Sequence, residues 1–262
     1  MNDFSGQRVL ITGASSGIGA VMAVEFARRG AVVGICARRR DRLETVLAEC
    51  RDHSPESRMW VADLADTASV ERLAADMVGS FGGIDILVNN AGIPKRRRVA
   101  DLDTATVTSV MNINYFSAVT LTLALLPAML RQKRGRIINI SSIAATLSSP
   151  GEAAYDASKA ALTAFSEAMA IDLWDTGVKV LVVYPGLVDT ELFTRPDNGP
   201  VPANPVTPIP AEELVAAVFD ALDREASQVY VPGWFADVAA GKARNLDAFL
   251  SGAAAFVAQQ TG

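Results

Sequence analysis

Histidine occurs once in the chain, at His53, and cysteine twice, at Cys36 and Cys50. Their spacing offers neither a disulfide framework nor a set of metal ligands, so a reducing, cytoplasmic compartment and a site without a metal are expected. Basic residues are scarce relative to acids, 24 against 29, and the net charge of −5 with a pI near 5.0 argues against a nucleic-acid partner. The local exception is KRRR at Lys95 to Arg98, which reads either as a solvated loop or as a contact for an anionic ligand. Long apolar runs are missing as well. No charge appears from Thr104 to Leu130, yet Thr, Asn, Ser and Pro127 interrupt that stretch, and no unbroken run approaches the roughly 18 residues of a membrane span. A helix buried in protein is the expectation there. The polar opening MNDFSGQ gives no sign of a signal peptide. No linker or internal repeat divides the sequence, which predicts one domain over residues 1–262.

What is present is an alternation. Short runs rich in Val and Ile lie at 8–12, 31–37, 58–62, 85–89, 136–141, 178–183 and 228–232. Amphipathic patterns fill the gaps near 18–29, 41–50, 67–80, 104–132, 153–174 and 212–224. Strand followed by helix, repeated, predicts right-handed crossovers and an α/β fold: a Rossmann-like, doubly wound parallel sheet of about seven strands covered on both faces. Residues 187–210 break the pattern with six prolines, and a connection of that length predicts a substrate loop. The tail at 234–260 carries apolar residues at helical spacing, suited to a docking helix, a subunit contact or a cover for a pocket.

TGASSGIG, Thr12 to Gly19, directly follows the first apolar run and opens the first helical pattern. Gly13, Gly17 and Gly19 allow a sharp turn and close backbone approach, and the helix start offers free N–H groups and the positive end of its dipole. Together with Ser15, Ser16 and Ile18 they form a candidate pyrophosphate cradle. In a dinucleotide fold the end of the second strand meets the adenosine ribose, where an acid selects a 2′-hydroxyl and an arginine a 2′-phosphate. Here Ala37 is followed by Arg38, Arg39 and Arg40, with no acid before Asp41. Guanidinium forks suit phosphate, which favours NADP(H) over NAD(H). The competing reading is a basic cluster at a helix start, with Asp41 as a helix cap.

In YDASK, Tyr155 and Lys159 stand one helical turn apart and share a helix face. Four tyrosines and five lysines make a chance match of this kind about a 0.08 event, modest evidence alone. Ser142, closing RIINISS at a strand end, adds weight. A cation about 4 Å from a phenol at an effective dielectric near 20 is worth about 4 kcal/mol, enough to bring Tyr155 towards pH 7.

Over residues 5–232 the chain resembles the classical short-chain dehydrogenase/reductase family: TGASSGIG, Asp63-Leu64, NNAG at Asn89 to Gly92, Asn114, Ser142, YDASK, and Pro185-Gly186 with Val188 and Thr190 occur in the family's order. The resemblance implies a catalytic tetrad of Asn114, Ser142, Tyr155 and Lys159. Tyr155 is then the general acid and base, Ser142 holds the substrate oxygen, Lys159 binds the nicotinamide ribose and Asn114 anchors a water relay. Asn114 could alternatively satisfy buried backbone in an apolar helix. It also implies cofactor contacts from Asp63 and Leu64 to adenine, from Asn90, Ala91 and Gly92 to the middle of the dinucleotide, and from Pro185, Gly186, Val188 and Thr190 to its nicotinamide end, with Arg38 and Arg39 at the ribose.

Ser142, Ile143 to Leu147 (with Ala144), Tyr155, Tyr184, Leu187, Leu192 and Phe193 are candidate substrate walls, apolar enough for a medium-sized hydrophobic carbonyl or secondary alcohol. KRRR keeps a 3-oxoacyl thioester in view, and a noncatalytic NADP(H)-sensing scaffold is the alternative from another class. The resemblance further implies a homodimer or homotetramer, with small residues of 160–170 suited to close packing.

Overall fold

The computed structural model describes residues 3–192, 198–199 and 206–261. Seven strands form one parallel sheet in the order β3-β2-β1-β4-β5-β6-β7: β1 Arg8–Thr12, β2 Val32–Ala37, β3 Arg58–Val61, β4 Ile86–Asn89, β5 Gly135–Ile140, β6 Val178–Pro185 and β7 Gln228–Val231. The order reverses between β1 and β4, and in such sheets the crevice at the carboxyl ends of the strands beside that reversal receives ligands. The expected doubly wound sheet is the one found.

Period-two alternation sends neighbouring side chains to opposite layers. Val9 and Ile11 enter the core beneath α1 (Gly17–Arg28), α2 (Arg40–Arg51) and α7 (Ala211–Asp223), with Phe26, Leu43 and Phe219. Leu10 points the other way, to α3 (Thr67–Phe81), α5 (Ser117–Gln132) and α6 (Ala153–Asp172), joining Met77, Leu121 and Met169. Buried on both faces, the inner strands need the near-continuous apolar runs seen in the sequence. Cys36 and Cys50 are free and buried, and burial pushes both thiols up to about 12.

The helix expected over 104–132 is in three parts: α4 Thr104–Met111, a π-helical turn Asn112–Phe116, and α5. By length and composition alone this run could cross a membrane. Its inner face, with Leu121, Leu125 and Met129, packs into the core, whereas Phe116 and Leu123 are exposed. The tail is two helices, α8 Phe235–Arg244 and α9 Leu246–Thr261.

The KRRR segment is not uniformly solvated. Arg96 is buried against Glu152, the residue that precedes α6, with about a tenth of each side chain exposed. Arg97 N donates to Gly151 O at 2.8 Å, and Arg96 N to Asn198 Oδ1 at 2.6 Å. The segment therefore clamps the start of the helix that carries Tyr155. Removing one member of a buried ion pair strands the other charge. Arg96→Met should cost about 3–5 kcal/mol in urea denaturation, and adding Glu152→Leu should recover most of that loss.

Candidate active site

The carboxyl ends of β1, β4, β5 and β6 open onto a cleft of about 550 Å³. At its floor Thr12 Oγ1 accepts from Asn90 N at 3.0 Å and Ala91 N at 3.1 Å, while Asn90 Nδ2 donates to Thr12 O at 2.9 Å. These bonds tie the two strands at which the sheet order reverses. They also give the glycines a role beyond phosphate approach. A Cβ on Gly13, whose φ is +68°, would lie 2.8 Å from Ala91 Cα, and one on Gly19 would lie 2.5 Å from Asn90 Nδ2. Side chains there would force NNAG away from the first turn.

The turn itself suits a pyrophosphate. Ser16 caps α1 without a side-chain hydrogen bond to it, and the first turn of that helix carries no acid. Backbone donors and the dipole of a twelve-residue helix therefore face the cleft without a competing carboxylate from their own helix. The residues present fit a dinucleotide.

At the other end stand Ser142, Tyr155 and Lys159, all buried and all lining the cleft. Ser142 follows β5 and caps a short 3-10 turn, its Oγ accepting from Ala144 N at 3.1 Å, which leaves the hydroxyl proton to donate. Lys159 Nζ donates to Ile140 O at 2.8 Å and lies 5.8 Å from the Tyr155 ring centroid. Burial lowers this amine to about 8, so it keeps its proton at neutral pH.

Tyr155 departs from the sequence expectation of a phenol brought towards 7. Burial pushes it above its ordinary value, the hydrogen bond with Ser142 opposes that rise, and the carboxylates of Glu152 and Asp156 add to it. Within the chain itself, desolvation is the largest cause and decides the direction.

Asn114 does not line the cleft but lies directly behind it. Its Oδ1 accepts from Ile93 N at 2.8 Å, and its Nδ2 donates to Ile93 O at 3.0 Å and to Ser158 Oγ at 2.9 Å. The buried-backbone reading describes this geometry. The π-helical turn aims the side chain at the segment after NNAG, and a Cβ on Gly92 would lie 3.5 Å from both Asn114 Oδ1 and Lys159 Nζ.

Of the expected cofactor contacts, Gly13, Ser15, Ser16, Gly17, Ile18, Arg38, Arg39, Asp63, Leu64, Asn90, Ala91, Gly92, Pro185, Gly186, Val188 and Thr190 line the cleft, and Gly19 lies beneath it. Of the expected substrate walls, Leu192 lines it, whereas Ala144, Leu147 and Leu187 do not. Tyr184 is fully buried and stacks on Tyr230 at 4.3 Å, so it belongs to the core. Phe193 lies outside the described residues. Sequence reasoning missed Ile93, Pro94, Ile113 and Glu191, which also line the cleft. The motif positions beside them are a signal for the first three. Glu191 also follows a motif position, Thr190, but nothing in the sequence pairs it with Arg39.

Asp156, next to Tyr155, is raised to about 7, chiefly by burial, with Ser149 N donating to it at 2.7 Å, Glu152 pushing up and Lys242 pulling down. Its folded pKa exceeds the ordinary 3.8, so between those values the folded state holds the extra proton and stability falls as pH rises. Asp156→Asn should therefore gain on wild type in thermal midpoint from about pH 4 to about pH 7, with a constant advantage above. Parallel melts across that range check it; parallel curves for the two proteins would remove Asp156 as the buried acid.

Residues 7–199 match the family model described as short chain dehydrogenase. Dehydrogenase/reductase SDR family member 7B of Rattus norvegicus is 36% identical over 233 residues, covering 84% of this chain and 72% of that protein. 11-beta-hydroxysteroid dehydrogenase 1A of Arabidopsis thaliana is 36% identical over 244 residues, covering 88% of this chain and 69% of that one. A short-chain dehydrogenase from Sphingobium yanoikuyae, solved in complex with NADPH, superposes with a TM-score of 0.82 at 30% identity, covering 92% of this chain and 94% of that one. The chain belongs to the short-chain dehydrogenase/reductase family, NAD(P)-dependent enzymes that act on alcohol and carbonyl groups.

Proposed function

We propose that the protein transfers a hydride between NADP(H), in preference to NAD(H), and a carbonyl or secondary alcohol of a medium-sized hydrophobic molecule. The observation that carries this reading is a single cleft with a proton donor at one end and guanidinium groups at the other: Tyr155 with Ser142 and Lys159, and Arg38 with Arg39. Arg39 Nη2 is 3.2 Å from Ser15 Oγ and 2.8 Å from Ser16 Oγ, so an anion beside it would meet two hydroxyls as well. The NADPH complex of the Sphingobium relative supports the same cofactor. The hydroxysteroid in the name of the Arabidopsis relative supports an apolar substrate.

A bound nicotinamide supplies or accepts the hydride. The chain's part is the proton and the alignment. Tyr155 hands its phenolic proton to the substrate oxygen during reduction and takes it back during oxidation, while Ser142 donates a hydrogen bond to the same oxygen. Burial keeps the phenol protonated but makes it a weaker acid, so proton transfer depends on the positive charge of nearby Lys159 to stabilise the phenolate left behind. Asn114 acts one step removed, fixing the Ile93 backbone and Ser158.

Lys95 also lines the cleft, which favours as a second reading an anionic, carrier-linked substrate such as a 3-oxoacyl thioester. The exposed apolar residues Phe116 and Leu123 on α5 and its approach, with Ile171 and Trp174 at the end of α6, support a homo-oligomer built through that face.

The test is nicotinamide oxidation with NADPH and NADH in parallel against apolar ketones, aldehydes and a 3-oxoacyl thioester. NADPH should support the higher kcat/KM, and Tyr155→Phe should lower kcat by about 10²–10⁴-fold with cofactor binding retained. Turnover that survives Tyr155→Phe would contradict the assigned proton path. Tight NADPH binding with no turnover on any substrate would favour a sensing scaffold.

A further inference from the structure

Glu191 reaches across the adenosine end of the cleft from the chain that follows β6. Its Oε1 accepts from Arg39 Nη2 at 2.6 Å, and both carboxylate oxygens accept from Arg42 Nη1 at 2.8 Å. Ser15 and Ser16, from the glycine turn, bond to the same Arg39 nitrogen. The glycine turn and the start of α2 thus converge on a carboxylate from a third part of the sequence. Two guanidinium groups and two hydroxyls make a site of the kind a phosphate monoester takes, and Glu191 fills it as an internal anion.

We propose that Glu191 competes with the 2′-phosphate of NADP(H) for Arg39 and Arg42, and so sets how strongly the enzyme distinguishes NADP(H) from NAD(H). This rests on the NADP(H) reading above. The hydrogen bonds from Arg39 and Ser16, with Arg42, hold Glu191 down at about 2, so it stays ionised at every pH at which the protein works and only another anion displaces it. Displacement is within reach because the contact is open to water: 37% of the Arg39 and 36% of the Glu191 side chain is exposed. Solvent-screened pairs of this kind are individually weak. A phosphate monoester carries close to two negative charges against one for the carboxylate, so it wins the guanidinium groups at a reduced net gain. NAD(H), lacking that group, has no such contest.

Glu191 also sits near the root of the proline-rich stretch. Val188 and Ile209 form a parallel bridge, with Asp189 N donating to Ile209 O and Ile209 N to Leu187 O, each at 2.9 Å. The competing carboxylate is therefore held close to the guanidinium groups by its tether, at a high effective concentration, without being fixed among them.

Direct titration of nucleotide binding by nicotinamide fluorescence tests the proposal without turnover, using wild type, Glu191→Gln, Glu191→Ala and Arg39→Ala. Both Glu191 variants should bind NADPH about three- to tenfold more tightly, with NADH held within about twofold, as expected for removing two exposed ion pairs. Thermal melts of each variant establish that it is folded. If NADPH affinity is unchanged or weaker in both Glu191 variants while Arg39→Ala weakens NADPH alone, the competition is overturned and the NADP(H) reading stands. Weaker NADH binding in both Glu191 variants would instead make Glu191 a ribose-hydroxyl ligand, which also overturns it. If wild type binds NADH as tightly as NADPH, the NADP(H) reading itself fails.

Discussion

One threonine holds together the part of the sheet on which the site depends. Parallel strands have no hairpin to couple their ends, and β1 and β4 are neighbours in space although their ends are 78 residues apart between Thr12 and Asn90. Thr12 bridges them: its hydroxyl accepts two backbone N–H groups from β4's exit and donates to Val88 O, while Asn90 returns a bond to Thr12 O. The glycine turn, NNAG and the mouth of the cleft take their relative positions from this knot. Its small glycines are as much a packing requirement of the knot as an accommodation to phosphate.

Behind the knot runs a second buried polar line. Asn89 Nδ2 donates to Asn139 Oδ1 at 2.8 Å, and Asn139 Nδ2 to Ser166 Oγ at 2.7 Å, joining β4, β5 and α6. Ser141 continues it to Thr163 and to Lys159 O. Buried side chains bonded to one another in this way favour one register, since a slip would break these bonds, although Asn89 Oδ1 itself has no partner among the described residues. The helix bearing Tyr155 and Lys159 is held against the sheet by these bonds as much as by apolar packing. The same burial makes the site electrostatically demanding: it raises the Tyr155 phenol and lowers the Lys159 amine, though not so far that the amine loses its proton at neutral pH.

Legibility in the sequence followed the range of the interaction. The strands and their order of appearance were readable because burial on both faces writes apolar runs directly into local sequence, and the glycine turn and YDASK because their chemistry has a fixed short spacing. Contacts between distant positions were not readable. Arg96 looked like part of a solvated basic run because its partner Glu152 lies 56 residues on, and the partnership of Arg39 with Glu191 spans 152. Tyr184 looked like a pocket wall because nothing local announces that it stacks on Tyr230. The π-helical turn was hidden too: an extra residue in a turn leaves no mark on an apolar pattern, although it redirects Asn114.

The bridge between Val188 and Ile209 carries a consequence for how such a protein can change over evolutionary time. It closes the twenty intervening residues at their base, so the sheet meets two fixed ends whatever lies between them. Closing a loop grows costlier only with the logarithm of its length, by about 0.6 kcal/mol per doubling. Between its anchors the segment can therefore change length at little cost in closure, provided that Asn198 and Gly199 keep their bonds to Arg96.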